Sequence, residues 1–195
     1  MTEERHGTAW RLAPELVDGF VRGDLDPPEE EALADEIARL LPFHAALPNP
    51  VAAELSRLTK KLGGTAGLWT WLDRHPGRPR VVSRLYSFMS LLDRVTSEPA
   101  VVTAVAERRE KTPYPPGLEG YLVPATTVET LASLAGDIEL LLAKDRLDDA
   151  VALALATADM LAEVAPRVAE LNPHLAGLQD EVGQARRYVA EAAPH

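Results

Sequence analysis

Between Leu161 and Val189 the apolar residues of this chain keep an unbroken three-four alternation: Leu161, Val164, Val168, Leu171, Leu175, Leu178, Val182, Ala185 and Val189. A seam of this kind belongs to a helix that buries one narrow stripe against another helix. Pro166 and Pro173 fall on the opposite face, where each removes a main-chain donor and kinks or cuts the helix. Asn172-Pro173 also reads as a cap followed by a helix start. The favoured form is therefore one helix from Asp148 to about Leu171 and a second from Pro173 to Ala192. The other form is one kinked rod through both prolines. Folded back, the seam serves an internal bundle; continued, it serves a partner.

The other segments also show helical spacing. Aromatic residues make up only 5% of the chain, so Leu, Ala and Val must fill the interior, which favours helix packed on helix. A first helix is expected within Thr8–Arg22, its regular part beginning at Pro14. Asp26-Pro27-Pro28-Glu29 then supplies a capping Asp, an N-terminal Pro and a Glu three places on, the start of a second helix that stops at Pro42. A loop over Pro42–Pro50 leads to a third helix carrying Val51, Leu55, Leu58 and Leu62, ended by Gly63-Gly64. A short helix from Gly67 holds Trp69 and Trp71, which cannot share a face. A fifth helix with Val82, Leu85, Met89 and Leu92 has the widest apolar face and is expected to be central. Ser97-Glu98-Pro99 opens a sixth, Thr126 or Thr127 caps a seventh, and Asp148 is expected to cap the eighth. Alternation of period two is absent apart from a stray candidate at Tyr121–Val123. The expected fold is all-α: a multi-helix bundle of about nine helices with a C-terminal heptad-patterned arm. Its expected divisions are an N-terminal helical part at 1–111, a Pro/Gly-rich connection at 112–125 and a helical hairpin or arm at 126–195 that packs on the first part.

Charge is segregated along the chain. Residues 1–56 carry net −8, residues 57–111 net +6 and residues 112–195 net −8, which gives the total of −10. Such a chain either neutralises itself on folding or offers its basic middle to an anionic partner. The absence of cysteine removes disulfides, thiolate metal sites, cysteine nucleophiles and CxxC redox chemistry. The apolar run 150–158 falls far short of a membrane span, and the acidic start is unlike a secretory signal. A cytoplasmic protein with no membrane association is expected.

Local motifs mostly resolve into structural chemistry. The five histidines show no ligand spacing, so no metal or catalytic role is assigned to them. Asp145, Asp148 and Asp149 sit at a corner, where acidic residues cap helices and complement their dipoles. Val21-Arg-Gly-Asp-Leu-Asp26 and Ala143-Lys-Asp-Arg-Leu-Asp148 echo each other as two helix corners of one chemistry. Gly77-Arg78-Pro79 with Arg74 and Arg80 matches the centre of an AT-hook, but the surrounding apolar helices make it a turn. Leu16–Glu30 resembles the helix corner of bacterial zinc-binding anti-sigma domains. That family's zinc cysteines are missing, Leu41-Pro-Phe-His44 standing in their place, so its function is not carried over. GxSxG, P-loop, GxGxxG and HExxH motifs are absent.

These features point to a non-enzymatic helical interaction protein (an adaptor, scaffold or assembly subunit) with no cofactor, no metal and no catalytic residue assigned. The expected partner is a protein or a second copy of the chain. The contact residues would be Leu161, Val164, Val168, Leu171, Leu175, Leu178 and Val182 of the seam, with Arg167 and Arg186 on its flanks. An alternative is a nucleic-acid-associated regulator that uses residues 57–111 and meets an anionic partner through Arg74, Arg78, Arg80 and Arg84. A second alternative is a small-molecule binder or enzyme with a pocket between the helical halves.

Overall fold

The computed structural model describes residues 12–107 and 128–193, which are helical with no strand among them. Nine α-helices run in chain order among these residues: α1 (Pro14–Arg22), α2 (Pro27–Leu40), α3 (Asn49–Lys61), α4 (Thr65–Asp73), α5 (Arg78–Thr96), α6 (Pro99–Glu107), α7 (Val128–Ala143), α8 (Leu147–Leu171) and α9 (Leu178–Ala190). The expected connection at 112–125, with the candidate strand at Tyr121–Val123, lies outside the described residues. The chain divides into two compact units, Met1–Ser83 and Arg84–His195, with the division inside α5.

In the first unit α1 packs on α2 and α3, and α3 packs on α4. Asp26 caps α2 through a full capping box. Its carboxylate accepts the Glu29 main-chain N–H at 2.9 Å, and the Glu29 side chain accepts the Asp26 N–H at 3.0 Å. The apolar face of α2 (Leu33, Ile37 and Leu40) is wholly withdrawn from water, as are Val17 of α1, Leu58 of α3 and Leu72 of α4. Each such side chain contributes roughly 1.5–3 kcal/mol by leaving water. Pro42 does end α2, but the expected loop is more ordered than the sequence suggests. Leu41–Ala46 forms a 3-10 segment and α3 already starts at Asn49. Trp71 is buried and Trp69 half-buried.

Three helix ends share one pattern. The Asp24 N–H reaches the Gly19 carbonyl and the Gly23 N–H that of Phe20; Gly64 and Gly63 repeat this on Thr59 and Lys60, and Arg146 and Asp145 on Leu141 and Leu142. Each is a Schellman closure, which requires a left-handed residue just past the helix. Gly23 (φ 77°), Gly63 (φ 88°) and Asp145 (φ 60°) fill that place. The echo between residues 21–26 and 143–148 is thus a repeated corner. The helices that leave the two corners start differently. Asp148 is not a cap, because α8 begins one residue earlier and places Asp148 and Asp149 in its first turn, where Arg146 Nε donates to Asp149 at 2.6 Å.

In the second unit α8 is the axis, and α6, α7 and α9 each pack against it. Its buried side includes Ala150, Ala154, Ala158 and Ala165, small residues that let neighbouring helices come close, interleaved with Leu153, Met160 and Leu161. Residues of α5 in this unit (Leu85, Phe88, Met89, Leu92 and Val95) are buried as well. Pro166 lies inside α8 on its exposed side. The helix is stopped at Asn172, whose side chain accepts the His174 N–H at 3.1 Å, and a 3-10 turn Pro173–Leu175 comes next. The chain then doubles back, so that Arg186 of α9 donates to Asp159 of α8 at 2.7 Å.

Candidate interaction surface

The seam residues divide by position once α8 and α9 fold together. Leu161, Val164, Val168, Leu178 and Val182 are buried within the chain, as is Val189. Leu175 and Ala185 are half-buried, and Leu171, the last residue of α8, keeps 39% of its surface in water. The two flanking arginines are engaged within the chain. Arg167 makes a forked pair with Glu107 of α6 at 2.7 and 3.0 Å and also reaches Glu170 at 3.1 Å. These hydrogen bonds, the one to Glu107 first, hold the Arg167 guanidinium above its ordinary pKa and the Glu107 carboxyl below its own.

Five arginines of the basic middle segment are similarly engaged. In the first unit Arg57 pairs with Asp18, Arg78 approaches Asp35 at 3.8 Å, and Arg80 Nε donates to the Asp73 carbonyl at 3.0 Å. Arg74 is exposed at the end of α4. Gly77 turns the chain with φ 79°, and Pro79 is a buried residue of the first turn of α5. The Gly-Arg-Pro tripeptide is therefore a helix start. In the second unit Arg84 donates to the Tyr188 carbonyl at 2.8 Å and stacks 4.2 Å above the Tyr188 ring, while Arg94 pairs with Glu181.

These last contacts frame a groove between α5 and α9. Ser90, Leu91 and Arg94 form one side, and Glu181, Gln184, Ala185 and Tyr188 the other, around about 640 Å³ of open space. Leu91 and Ala185 give the lining apolar side chains, and Ser90, Gln184 and the Arg94–Glu181 pair give it polar ones. Contact surfaces combine apolar and polar groups in this way. Tyr86, also on α5, donates to Glu139 of α7 at 3.2 Å, and its phenol is pushed above its ordinary pKa by burial first and by the Glu139 charge next. A second open depression in the first unit, about 410 Å³, is lined by His44, Leu55, Ser56, Thr59, Lys60 and Thr65 among others. His44 contacts the Leu41 carbonyl through Nδ1 at 3.0 Å.

Among the described residues no cluster of three or more His, Asp or Glu side chains is placed to hold a metal, and no helix is long and apolar enough to cross a membrane. No family model, curated protein or solved structure matches this chain.

The groove residues Ser90, Leu91, Gln184 and Tyr188 were not singled out by the sequence pattern. They lie about a hundred positions apart and come together only because α9 doubles back beside α5. A faint signal existed in Glu181 and Arg94, charges placed at helical spacing beside apolar stripes.

Proposed function

We propose that this chain is a non-enzymatic helical interaction protein, an adaptor, scaffold or assembly subunit, and that it receives a helix of a protein partner in the groove between α5 and α9. The supporting observation is the shape and chemistry of that groove. It lies between two helices and is lined by apolar Leu91 and Ala185 together with Ser90, Gln184 and an ion pair. An amphipathic helix lays its apolar face into such a groove through side chains three and four positions apart. The polar lining groups set direction and register more than affinity. Leu171 adds a further exposed apolar residue, at the end of α8.

The nucleic-acid reading receives no comparable support, because Arg78, Arg80 and Arg84 already have partners within their own units. Ala185→Arg tests the interaction reading, since it fills the groove while keeping a good helix former in α9. Tagged wild-type and variant chains are purified from the same cells, and the mass of each is measured by light scattering. The expected result is that a co-purifying protein, or a self-associated mass, is lost in the variant while the circular-dichroism melt is preserved. Equal partners and equal mass in both would overturn the assignment of the groove.

A further inference from the structure

His75 lies in the turn between α4 and α5, and its Nε2 is the one buried side-chain polar atom without a hydrogen-bond partner among the described residues. Its ring packs edge-on against Trp71, with centroids 4.9 Å apart. The Trp71 indole N–H donates to Oε1 of Glu30, on α2, at 2.8 Å. That same oxygen stands 3.5 Å from His75 Nε2. Phe20 of α1 also packs edge-on against Trp71, with ring centroids 5.3 Å apart. A buried polar atom left unsatisfied is costly, so its persistence calls for a physical role.

We infer that His75 is a proton-operated latch between the α4–α5 turn and α2. Taking a proton from solvent places an N–H on both ring nitrogens. Nε2–H then donates to Glu30 Oε1, which becomes a shared acceptor for the imidazolium and the Trp71 indole. The new bond is charge-assisted, and little movement is needed to shorten a 3.5 Å approach. The other charged groups on the surrounding elements have contacts of their own. Asp35 of α2 faces Arg78 of α5, Glu36 of α2 accepts the Ala13 N–H, and on α1 Asp18 pairs with Arg57 and Arg22 with Asp24. Asp73, on α4, and Arg74, next to His75 in the chain and exposed, are the charged groups nearest in sequence, and Arg80 binds the Asp73 main-chain carbonyl. Glu30 is the carboxylate that stands 3.5 Å from Nε2 and that the imidazolium meets.

The chain has three tryptophans, so a full-length variant carrying Trp10→Phe and Trp69→Phe reports on Trp71 alone. Its emission is followed between about pH 5 and pH 8, the range in which histidine changes charge, with circular dichroism recorded in parallel. The expected result is a single acid-side fall in emission, as imidazolium quenches the neighbouring indole. The fall is lost in His75→Gln and its midpoint differs in Glu30→Gln. Flat emission, or a transition that survives His75→Gln, overturns the latch. Should His75→Gln fail to fold, the ring proton of His75 is titrated by NMR in the unaltered chain and in Glu30→Gln. Identical midpoints in those two would equally overturn it.

Discussion

Gly64 adopts φ 113° with ψ −171°, a conformation that side-chain-bearing residues hardly populate, and it does so at the corner joining α3 to α4. The corner is tight for a second reason: a Cβ added at Gly67 would overlap the Leu62 carbonyl. Gly183 is the opposite case, a helical residue of α9 with open space where its Cβ would be. Two glycine-to-alanine changes should therefore have opposite signs. Gly64→Ala is expected to destabilise the protein by about 1–3 kcal/mol through backbone strain. Gly183→Ala is expected to stabilise it by roughly 0.5–1 kcal/mol through helix propensity. Urea denaturation of both variants checks the pair, and a gain for Gly64→Ala would show that the corner relaxes freely. Glycine pairs announce such corners in a sequence. Asp145 does not: it holds the left-handed place that Gly23 and Gly63 hold elsewhere, and only the repeated flanking pattern hinted at it.

Helix boundaries were readable where caps and breakers act locally. Asp26 with Glu29, Pro42 and Gly63-Gly64 mark changes of structure within a residue or two of the expected place, and Asn172 ends α8, but the helix expected from Pro173 is a 3-10 turn there and α9 starts only at Leu178. What periodicity could not supply was which seam residues each neighbouring helix covers, because a stripe shows that a face is buried and not what buries it. Leu161 and Leu171 make the difference measurable, since they share one helix and one seam but have 0% and 39% of their surface exposed. Leu161→Ala is expected to cost about 2–5 kcal/mol, the range for a leucine removed from a filled core. Leu171→Ala should stay within about 0.5 kcal/mol, as surface changes do. Thermal melts at two protein concentrations decide the matter. A large, concentration-dependent loss for Leu171→Ala would mean that its exposed face is covered by a second copy.

The alternating charge of the segments has its counterpart in ion pairs within each compact unit. In the first, basic Arg57 and Arg78 meet Asp18 and Asp35 from the acidic start; in the second, Arg84 and Arg94 meet Glu191 and Glu181 from the acidic end. Segregation along the chain was visible from residue counts, but this pairing spans up to 107 positions and depends on how the helices return, which no local pattern encodes. Most of these partners are well exposed, so each pair adds little stability. Their larger consequence is for binding. Affinity for nucleic acid comes chiefly from cations free to displace counterions on phosphates, and it falls steeply with salt. Here Arg57, Arg78, Arg84 and Arg94 of the middle segment face carboxylates of the same chain, and the whole protein carries −10. Electrophoretic mobility shifts with duplex and single-stranded DNA and with RNA, at about 50 mM salt where phosphate contacts are strongest, should therefore show no complex. A shift that weakens as salt rises, and that disappears on changing Arg74 and Arg78 to Gln, would transfer the functional assignment from the α5–α9 groove to the basic turn before α5.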